Sequence, residues 1–208
     1  QVGSTVSCTI NDTSIAPVGN SVYFDGTGDY LSVPSSTDFT FGTGDFTIEC
    51  FVYRDPGDFF VVYDHLNHPS NKFTLFAYGN NDIRIWNNQH LTSGTIPPGN
   101  QWFHAAWVRQ SGTLMFFVDG VKAPTTHSWS YNIGQGGTAG VNIGVTLYGE
   151  YGRFYLSNLR AVKGTAVYTS NFTPPTSALT NISGTVLLCC QSSTSTTAAA
   201  VSPGTITS

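Results

Sequence analysis

Apolar and polar side chains alternate with a period of two along much of the chain. In FTIECFV, residues 46–52, every second side chain from Phe46 to Val52 is apolar and falls on one face, whereas Glu49 falls on the other. Such alternation is typical of a strand that covers a core with one face. The pattern therefore predicts a β-strand in which Glu49 points away from the apolar row.

Turn signals rich in Gly, Pro, Asn and Asp separate these runs roughly every 8 to 12 residues. In LMFFVDGVK, residues 114–122, the pair Asp119-Gly120 predicts a hairpin, because both residues readily take the positive φ angles that a two-residue turn requires. WFHAAWVRQ, residues 102–110, supplies the preceding strand. This rhythm predicts an all-β fold, an antiparallel two-sheet sandwich that is nearly free of helix.

The charge balance excludes several kinds of partner. The chain has a net charge of -4, and its eight Lys and Arg residues are scattered rather than clustered, so we expect no nucleic acid partner. No apolar stretch approaches the roughly 20 residues that cross a bilayer, so we expect no membrane insertion. The opening residues lack the basic segment and apolar core of a signal peptide. Because the chain begins with Gln1, we expect that something preceded it.

The composition divides the chain into three parts. We predict an N-terminal arm at residues 1–18, one domain at 19–191 and a low-complexity C-terminal tail at 192–208. The tail is uncharged and made of small residues, so it cannot form a core alone. We expect a neighbouring subunit to hold it in place, the alternative being the surface of its own domain. The arms then predict docking to other surface proteins and a homo-oligomer or multi-copy assembly.

The four cysteines, Cys8, Cys50, Cys189 and Cys190, show no C-x-x-C spacing, so a zinc site is not expected. Four cysteines allow three disulfide pairings. A fold of this size needs no covalent staple, and small thiols are often buried in cores, so reduced cysteines are favoured over bridged ones.

Several motifs follow one another in a specific order. They are SVYFDGTGDYLSVP (21–34), DFTFGTGDFTIECFVY (38–53), WFHAAWVRQSGTLMFFVDGVK (102–122), FYLSNLRAVKGTAVYTSNFTPP (154–175) and TVLLCCQ (185–191). Their order resembles the laminin-G-like, concanavalin A-like jelly-roll modules, above all those in bacteriophage virion structural proteins. The resemblance implies two antiparallel sheets, no obligatory cofactor, and a role in binding glycans or other proteins. One departure is Val167-Tyr168, where relatives often carry Arg-Tyr.

The same superfamily includes β-glucanases, so Glu49 has to be tested as a catalytic acid. Glycosidases need two carboxyl groups about 5 to 9.5 Å apart, and residues i and i+2 of a strand lie about 6.6 Å apart on one face. Those neighbours of Glu49 are Thr47 and Phe51, and Glu150 has no acidic partner at i±2 either. We therefore predict a non-enzymatic protein. Glu49 should be a buried or half-buried carboxylate that accepts hydrogen bonds from Arg109, Arg160 or a tyrosine hydroxyl.

Two segments combine aromatic and polar side chains as sugar sites do. THSWSYN, residues 126–132, alternates His127, Trp129 and Tyr131 on one side, which predicts a sugar platform. The alternative is that these aromatics plug the end of the sandwich.

DIRIWNNQH, residues 82–90, places Arg84 and Trp86 opposite the isoleucines and is followed by Asn87. This predicts a second set of ligand contacts, the alternative being a cross-strand aromatic on the other sheet face. The loop that contains Asp64 and Asn67 is a weak calcium candidate, because one carboxylate is little for that ion.

These observations predict a non-enzymatic virion surface, decoration or appendage protein with a lectin-like fold that binds glycans. The alternatives are a purely structural capsid cement protein and a secreted bacterial adhesin at the cell surface. A glycoside hydrolase is less favoured than either.

Overall fold

The computed structural model describes residues 19–65, 73–78, 82–134 and 139–208. The predicted N-terminal arm, with Cys8, and the calcium candidate Asn67 lie outside the described residues. The strands are β1 (Val22–Asp25), β2 (Leu31–Ser36), β3 (Phe46–Arg54), β4 (Phe60–His65), β5 (Phe73–Ala77), β6 (Arg84–Trp86), β7 (His90–Thr92), β8 (Gln101–Gln110), β9 (Thr113–Val118), β10 (Val121–Lys122), β11 (His127–Ser128), β12 (Ala139–Ile143), β13 (Arg153–Lys163), β14 (Thr185–Cys189) and β15 (Ala199–Val201).

These strands form two antiparallel sheets, as the turn spacing predicts. Among the described residues, a nine-stranded sheet runs β10-β9-β8-β3-β13-β14-β15, with β1 also paired to β13 and β11 to β9. A six-stranded sheet runs β2-β12-β4-β5-β6-β7. The helical content of the described residues is one 3-10 turn, Thr37–Phe39. The predicted all-β two-sheet sandwich is confirmed.

The core lies between the inner faces of the two sheets, and the alternation in β3 shows why. The side chains from Phe46 to Val52 on one face are completely buried in this core, whereas Glu49 belongs to the outer face of the nine-stranded sheet. The predicted hairpin is also present, because Asp119 and Gly120 have φ angles of 52° and 74° between β9 and β10. The sequence pattern thus sets both the faces and this turn.

A long connection, here called the strap (residues 164–184), covers part of the outer face of the nine-stranded sheet. It leaves β13 at Gly164 and returns at β14, without a strand of its own. Tyr168 and Phe172 of the strap pack on a small apolar cluster of β8 and β9 that includes Ala106 and Phe117. The strap therefore buries apolar side chains that alternation places on the outside of the sheet.

The predicted tail at 192–208 is part of the sandwich. Its strand β15 pairs with β14 of the nine-stranded sheet, and Thr207 then pairs with Ser32 in β2 of the six-stranded sheet through hydrogen bonds of 2.8 and 3.0 Å. Ile206 between them is only 3% exposed and joins the core. This corrects the expectation that a neighbouring subunit holds the segment in place, because its own domain does so.

Cys50, Cys189 and Cys190 are free thiols buried in the sandwich. The Sγ atoms of Cys189 and Cys190 lie 3.6 Å apart, which is far longer than the roughly 2.05 Å of a disulfide bond.

Candidate functional site

A cleft opens on the outer face of the six-stranded sheet and has a volume of about 370 Å³. We call it the sheet cleft. Its lining combines aromatic rings with hydroxyl and charged groups from β5, β6, β7 and three connecting segments: Phe59, Thr74, Phe76, Tyr78, Arg84, Trp86, His90, Thr146, Tyr148 and Glu150.

Strand alternation determines which side chains reach this cleft. In β5, Leu75 is turned into the core, which leaves Phe76 on the outer face. In β6, Ile85 is buried in the core, so Arg84 and Trp86 on either side of it line the cleft. Cross-strand pairing of Trp86 with His90 then brings β7 alongside.

The aromatic rings form a partly exposed wall. The ring centroids of Trp86 and His90 are 4.5 Å apart, and those of Phe76 and His90 are 5.9 Å apart. At the mouth of the cleft, Tyr78 and Tyr148 are 55% and 59% exposed. Rings with one open face are the surfaces on which the apolar side of a sugar ring stacks.

A charged group at one end is fixed by its neighbours. Arg84 Nε donates to Asp82 Oδ1 at 2.8 Å, and the other oxygen of Asp82 accepts a hydrogen bond from the Gly94 backbone N–H at 2.6 Å. The guanidinium group therefore has a defined orientation at the cleft. Burial, together with the nearby charge of Arg84, lowers the pKa of His90 against the opposite effect of Asp82, which favours the neutral imidazole.

The opposite wall is a turn between β12 and β13. Asp64 in β4 holds this turn, because one carboxylate oxygen accepts a hydrogen bond from Leu147 N at 2.7 Å and the other accepts one from the Thr74 hydroxyl. Thr146 Oγ1 donates to Glu150 Oε2 at 3.1 Å within the turn. Tyr148 and Glu150 are thereby placed at the cleft by Asp64.

Burial is the main reason that the pKa of Asp64 rises to about 6, and the nearby charge of Glu150 raises it further against the two hydrogen bonds. Asp64 itself is only 3% exposed, and both of its oxygens accept hydrogen bonds from the protein. It orients the wall of the cleft rather than facing a ligand. Among the described residues, no group of three or more His, Cys, Asp and Glu side chains is arranged to hold a metal ion.

The predicted contacts in β6 and directly after it fall into two groups. Arg84 and Trp86 line the sheet cleft as expected from their face of the strand. Asn87 does not, because it is 6% exposed and turned towards Trp129. In the amide orientation that satisfies both groups, its carbonyl oxygen accepts a hydrogen bond from Trp129 Nε1 at 2.6 Å.

The predicted sugar platform at residues 126–132 is not an open surface, because its middle ring, Trp129, is buried. Trp129 is 4% exposed, stacks on Tyr131 at 5.6 Å and lies under the Arg109 guanidinium at 5.1 Å. His127, half-buried, binds the carbonyl oxygen of Thr92 at 2.9 Å. This corrects the picture of an open ring row and favours the alternative, in which these aromatics plug the end of the sandwich.

Glu49 is completely buried beneath the strap. Its Oε1 accepts from Arg160 Nε at 3.0 Å and Nη2 at 2.5 Å, and its Oε2 accepts from the Tyr168 hydroxyl at 2.7 Å. His104 Nε2 lies 3.0 Å from Oε2. Burial raises the pKa of Glu49, but His104, Arg160 and the Tyr168 hydroxyl together lower it below the usual range.

The expected hydrogen-bonded carboxylate is therefore found, with Arg160 and a tyrosine as donors. Arg109 is not a donor to it, because its guanidinium binds the carbonyl oxygens of Gly42, Gly44 and Tyr131.

Sequence reasoning missed several cleft residues: Phe59, Phe76, Tyr78, His90 and Tyr148. They come from four separate segments, so no local pattern joins them. The run from Tyr148 to Tyr151 carries a usable signal, since two tyrosines flank a Gly-Glu pair.

An antiparallel two-sheet sandwich with an aromatic cleft on an outer face defines the class of lectin-like β-sandwich proteins. The family model Laminin_G_3, of the concanavalin A-like lectin/glucanases superfamily, matches residues 25–179. The chain belongs to this family. No curated protein sequence matches it.

Solved structures similar to this chain share its fold at low sequence identity. A Bacteroides ovatus protein to which carbohydrate binding is attributed has a TM-score of 0.63 and 16% identity over 83% of this chain, which spans about half (51%) of that protein. Domain 4 of AbnA, a GH43 extracellular arabinanase from Geobacillus stearothermophilus solved with arabinotriose, has a TM-score of 0.60 and 14% identity, covering 74% of this chain and 75% of that domain.

A heptameric pentraxin from Limulus polyphemus has a TM-score of 0.50 and 14% identity, covering 71% of this chain and 77% of the pentraxin. No helix in the described part of the chain is long and apolar enough to span a bilayer.

Proposed function

We propose that this protein is a non-enzymatic carbohydrate-binding module that takes a saccharide in the sheet cleft. The observation that carries the proposal is the cleft itself, where the partly exposed rings of Trp86 and Tyr148 lie beside the charged groups of Arg84 and Glu150. Rings stack on the apolar face of a sugar, and charged groups bond its hydroxyls. The carbohydrate binders among the similar structures support the same class of ligand.

We propose further that the module acts on the outside of a virion, as a decoration or appendage protein. The order of the sequence motifs supports this setting. A single shallow sugar site has an affinity of about 1 mM, or roughly -4 kcal/mol, so many copies are needed for firm attachment. Display in multiple copies on a particle meets that need, and display on a bacterial cell surface is the alternative.

A glycan array tests the proposed binding. Wild-type protein should bind a defined set of glycans, and Tyr148→Ala should lose them because it removes an exposed ring from the cleft. Tyr151→Ala is the matched control, since Tyr151 is also exposed (37%) and lies in the same turn but does not line the cleft. Equal loss of glycan binding in both variants, or no binding by the wild type, contradicts the proposal. The absence of wild-type binding supports a cement role.

A glycoside hydrolase is the second candidate, favoured by one observation. Asp64, with its pKa of about 6, interacts electrostatically with Glu150 beside the cleft, and a pair of neighbouring carboxyl groups is the usual equipment of such enzymes. Its buried, doubly bonded oxygens argue against it. Incubation with the array's ligands should release no reducing ends, and release that Glu150→Gln abolishes would establish the enzyme.

A further inference from the structure

A row of aromatic side chains crosses the outer face of the other, nine-stranded sheet. Tyr23 in β1 is paired with Tyr155 in β13, Tyr155 with Tyr53 in β3, and Tyr53 with Trp102 in β8. Their ring centroids are 4.5, 5.8 and 5.9 Å apart in that order. We call these four residues the aromatic row.

The strap leaves part of this row open. It lies on Ala106, Phe117 and their neighbours, farther along the same sheet face. Trp102 at one end is 2% exposed, but Tyr23, Tyr53 and Tyr155 are only half-buried. Cross-strand pairing explains why aromatic rings stabilise a sheet here, yet it does not require that three of them stay partly exposed.

Polar groups border the open rings and form a groove of about 220 Å³ with them. Arg153 Nε donates to Asp58 Oδ2 at 2.8 Å, and its Nη2 lies 3.3 Å from Asp55 Oδ2. The side chains of Arg153 and Asp55 are 50% and 54% exposed. Both side chains therefore reach solvent, where guanidinium and carboxylate groups can form hydrogen bonds with a ligand.

We propose that this groove is a second saccharide site, on the opposite face of the sandwich from the sheet cleft. Partly exposed tyrosine rings beside a carboxylate-guanidinium cluster match the apolar face and the hydroxyls of a sugar. The two carboxylates of the lining, Asp55 and Asp58, are balanced by the guanidinium groups of Arg54 and Arg153, so the groove has no net charge and suits a neutral ligand. A volume of 220 Å³ lies below the usual range for drug-sized ligands, which suits about one or two sugar rings.

The groove does not suit a protein or lipid partner. Among the described residues, the exposed large apolar side chains are Tyr78, Ile96, Val121, Leu147, Tyr148 and Tyr151, and none of them lines it. With a site on each outer face, one chain joins two glycan chains. The second site goes beyond the proposed function and stands independently of the sheet cleft, whereas the bivalency rests on both sites.

Amide NMR spectra test the second site. Maltotriose, cellotriose, arabinotriose and chitotriose are titrated separately to about 10 mM, since single sugar sites are commonly of millimolar affinity. At least one trisaccharide should shift the amides of Tyr23, Tyr53 and Tyr155 in the wild type and equally in Trp86→Ala. Asp58→Asn should abolish these shifts.

The control is Asp25→Asn, because Asp25 is exposed, neighbours Arg153 across the strand pair, and does not line the groove. It should keep the shifts. The proposal is overturned if no trisaccharide moves these amides, if Trp86→Ala removes the shifts, or if both Asp variants behave alike. Shifts that appear on raising the protein concentration without sugar would assign the surface to a second copy of the chain and overturn it as well.

Discussion

The Tyr168 hydroxyl donates a 2.7 Å hydrogen bond to Glu49 Oε2, and this bond joins the strap to the nine-stranded sheet beneath it. Burial and the neighbouring carboxylate raise the pKa of Tyr168, so the phenol keeps its proton and remains a donor. Glu49 thus has a structural role, because it binds the strap to β3. This role explains why a single glutamate lies on a strand rich in apolar residues.

Replacement of Tyr168 by Phe should lower the free energy of unfolding by about 1.5–3 kcal/mol, the range for a hydrogen bond to a charged group. Urea unfolding measures the change. Tyr151→Phe, at an exposed position, serves as the control and should change little. A Tyr168→Phe protein as stable as the wild type would show that the bond does not hold the strap.

Asp64 should give the protein a pH-dependent stability. Its pKa is about 6 in the folded state against 3.8 as the ordinary value, so the folded state binds the proton more tightly than the unfolded state. Its contribution is therefore fully present below pH 3.8 and is lost as the pH rises through 6.

Compared with Asp64→Asn, the wild type should gain about 2.5 kcal/mol between pH 7 and pH 4, because the pH falls about two units below the folded-state pKa at roughly 1.4 kcal/mol per unit. Burial lowers the pKa of His65 to about 4, so His65 changes the stability in the opposite direction over the same pH range. Because both proteins contain His65, its contribution cancels in the difference between their free energies of unfolding. A difference that stays constant over this range would show that Asp64 titrates normally.

Trp129→Ala should act on stability and not directly on glycan contact. The ring is 4% exposed and packs on Phe73, Tyr131 and Arg109, so its loss leaves a cavity worth about 3–5 kcal/mol. Thermal unfolding checks this. Normal stability together with lost glycan binding would restore the predicted platform as a ligand site.

The end of the C-terminal segment should contribute to the stability of the sandwich. Ile206→Ala is expected to cost about 2–5 kcal/mol in urea unfolding, the range for a buried isoleucine. Ile96→Ala is its matched control, because Ile96 is 62% exposed. If the two variants are equally stable, Ile206 does not lock the two sheets together.

The sequence predicts those features that depend on local alternation. The faces of β3, the Asp119-Gly120 turn and the outward position of Trp86 all follow from residues next to one another in the chain. Trp129 differs because its segment has no aliphatic residues that mark a core face, so its ring could be assigned to either side.

The remaining features depend on pairing between distant parts of the chain, so the sequence does not predict them. The cleft wall depends on Asp64 binding Leu147 across 83 positions of the chain, and no residue pattern encodes that contact. The C-terminal segment carries only Val201 and Ile206 as large apolar residues, too few to show a period. Its place in the sandwich comes from backbone hydrogen bonds to β14 and β2. Any residue except proline can form such bonds, so they leave no pattern in the sequence.

Calorimetric titration of the strongest array ligand into wild type and Trp86→Ala tests the central claim most directly. Loss of the stacked ring should weaken binding at the sheet cleft by about tenfold, equivalent to 1.4 kcal/mol. Unchanged affinity in a folded Trp86→Ala protein would contradict the assignment of the sheet cleft as a saccharide site.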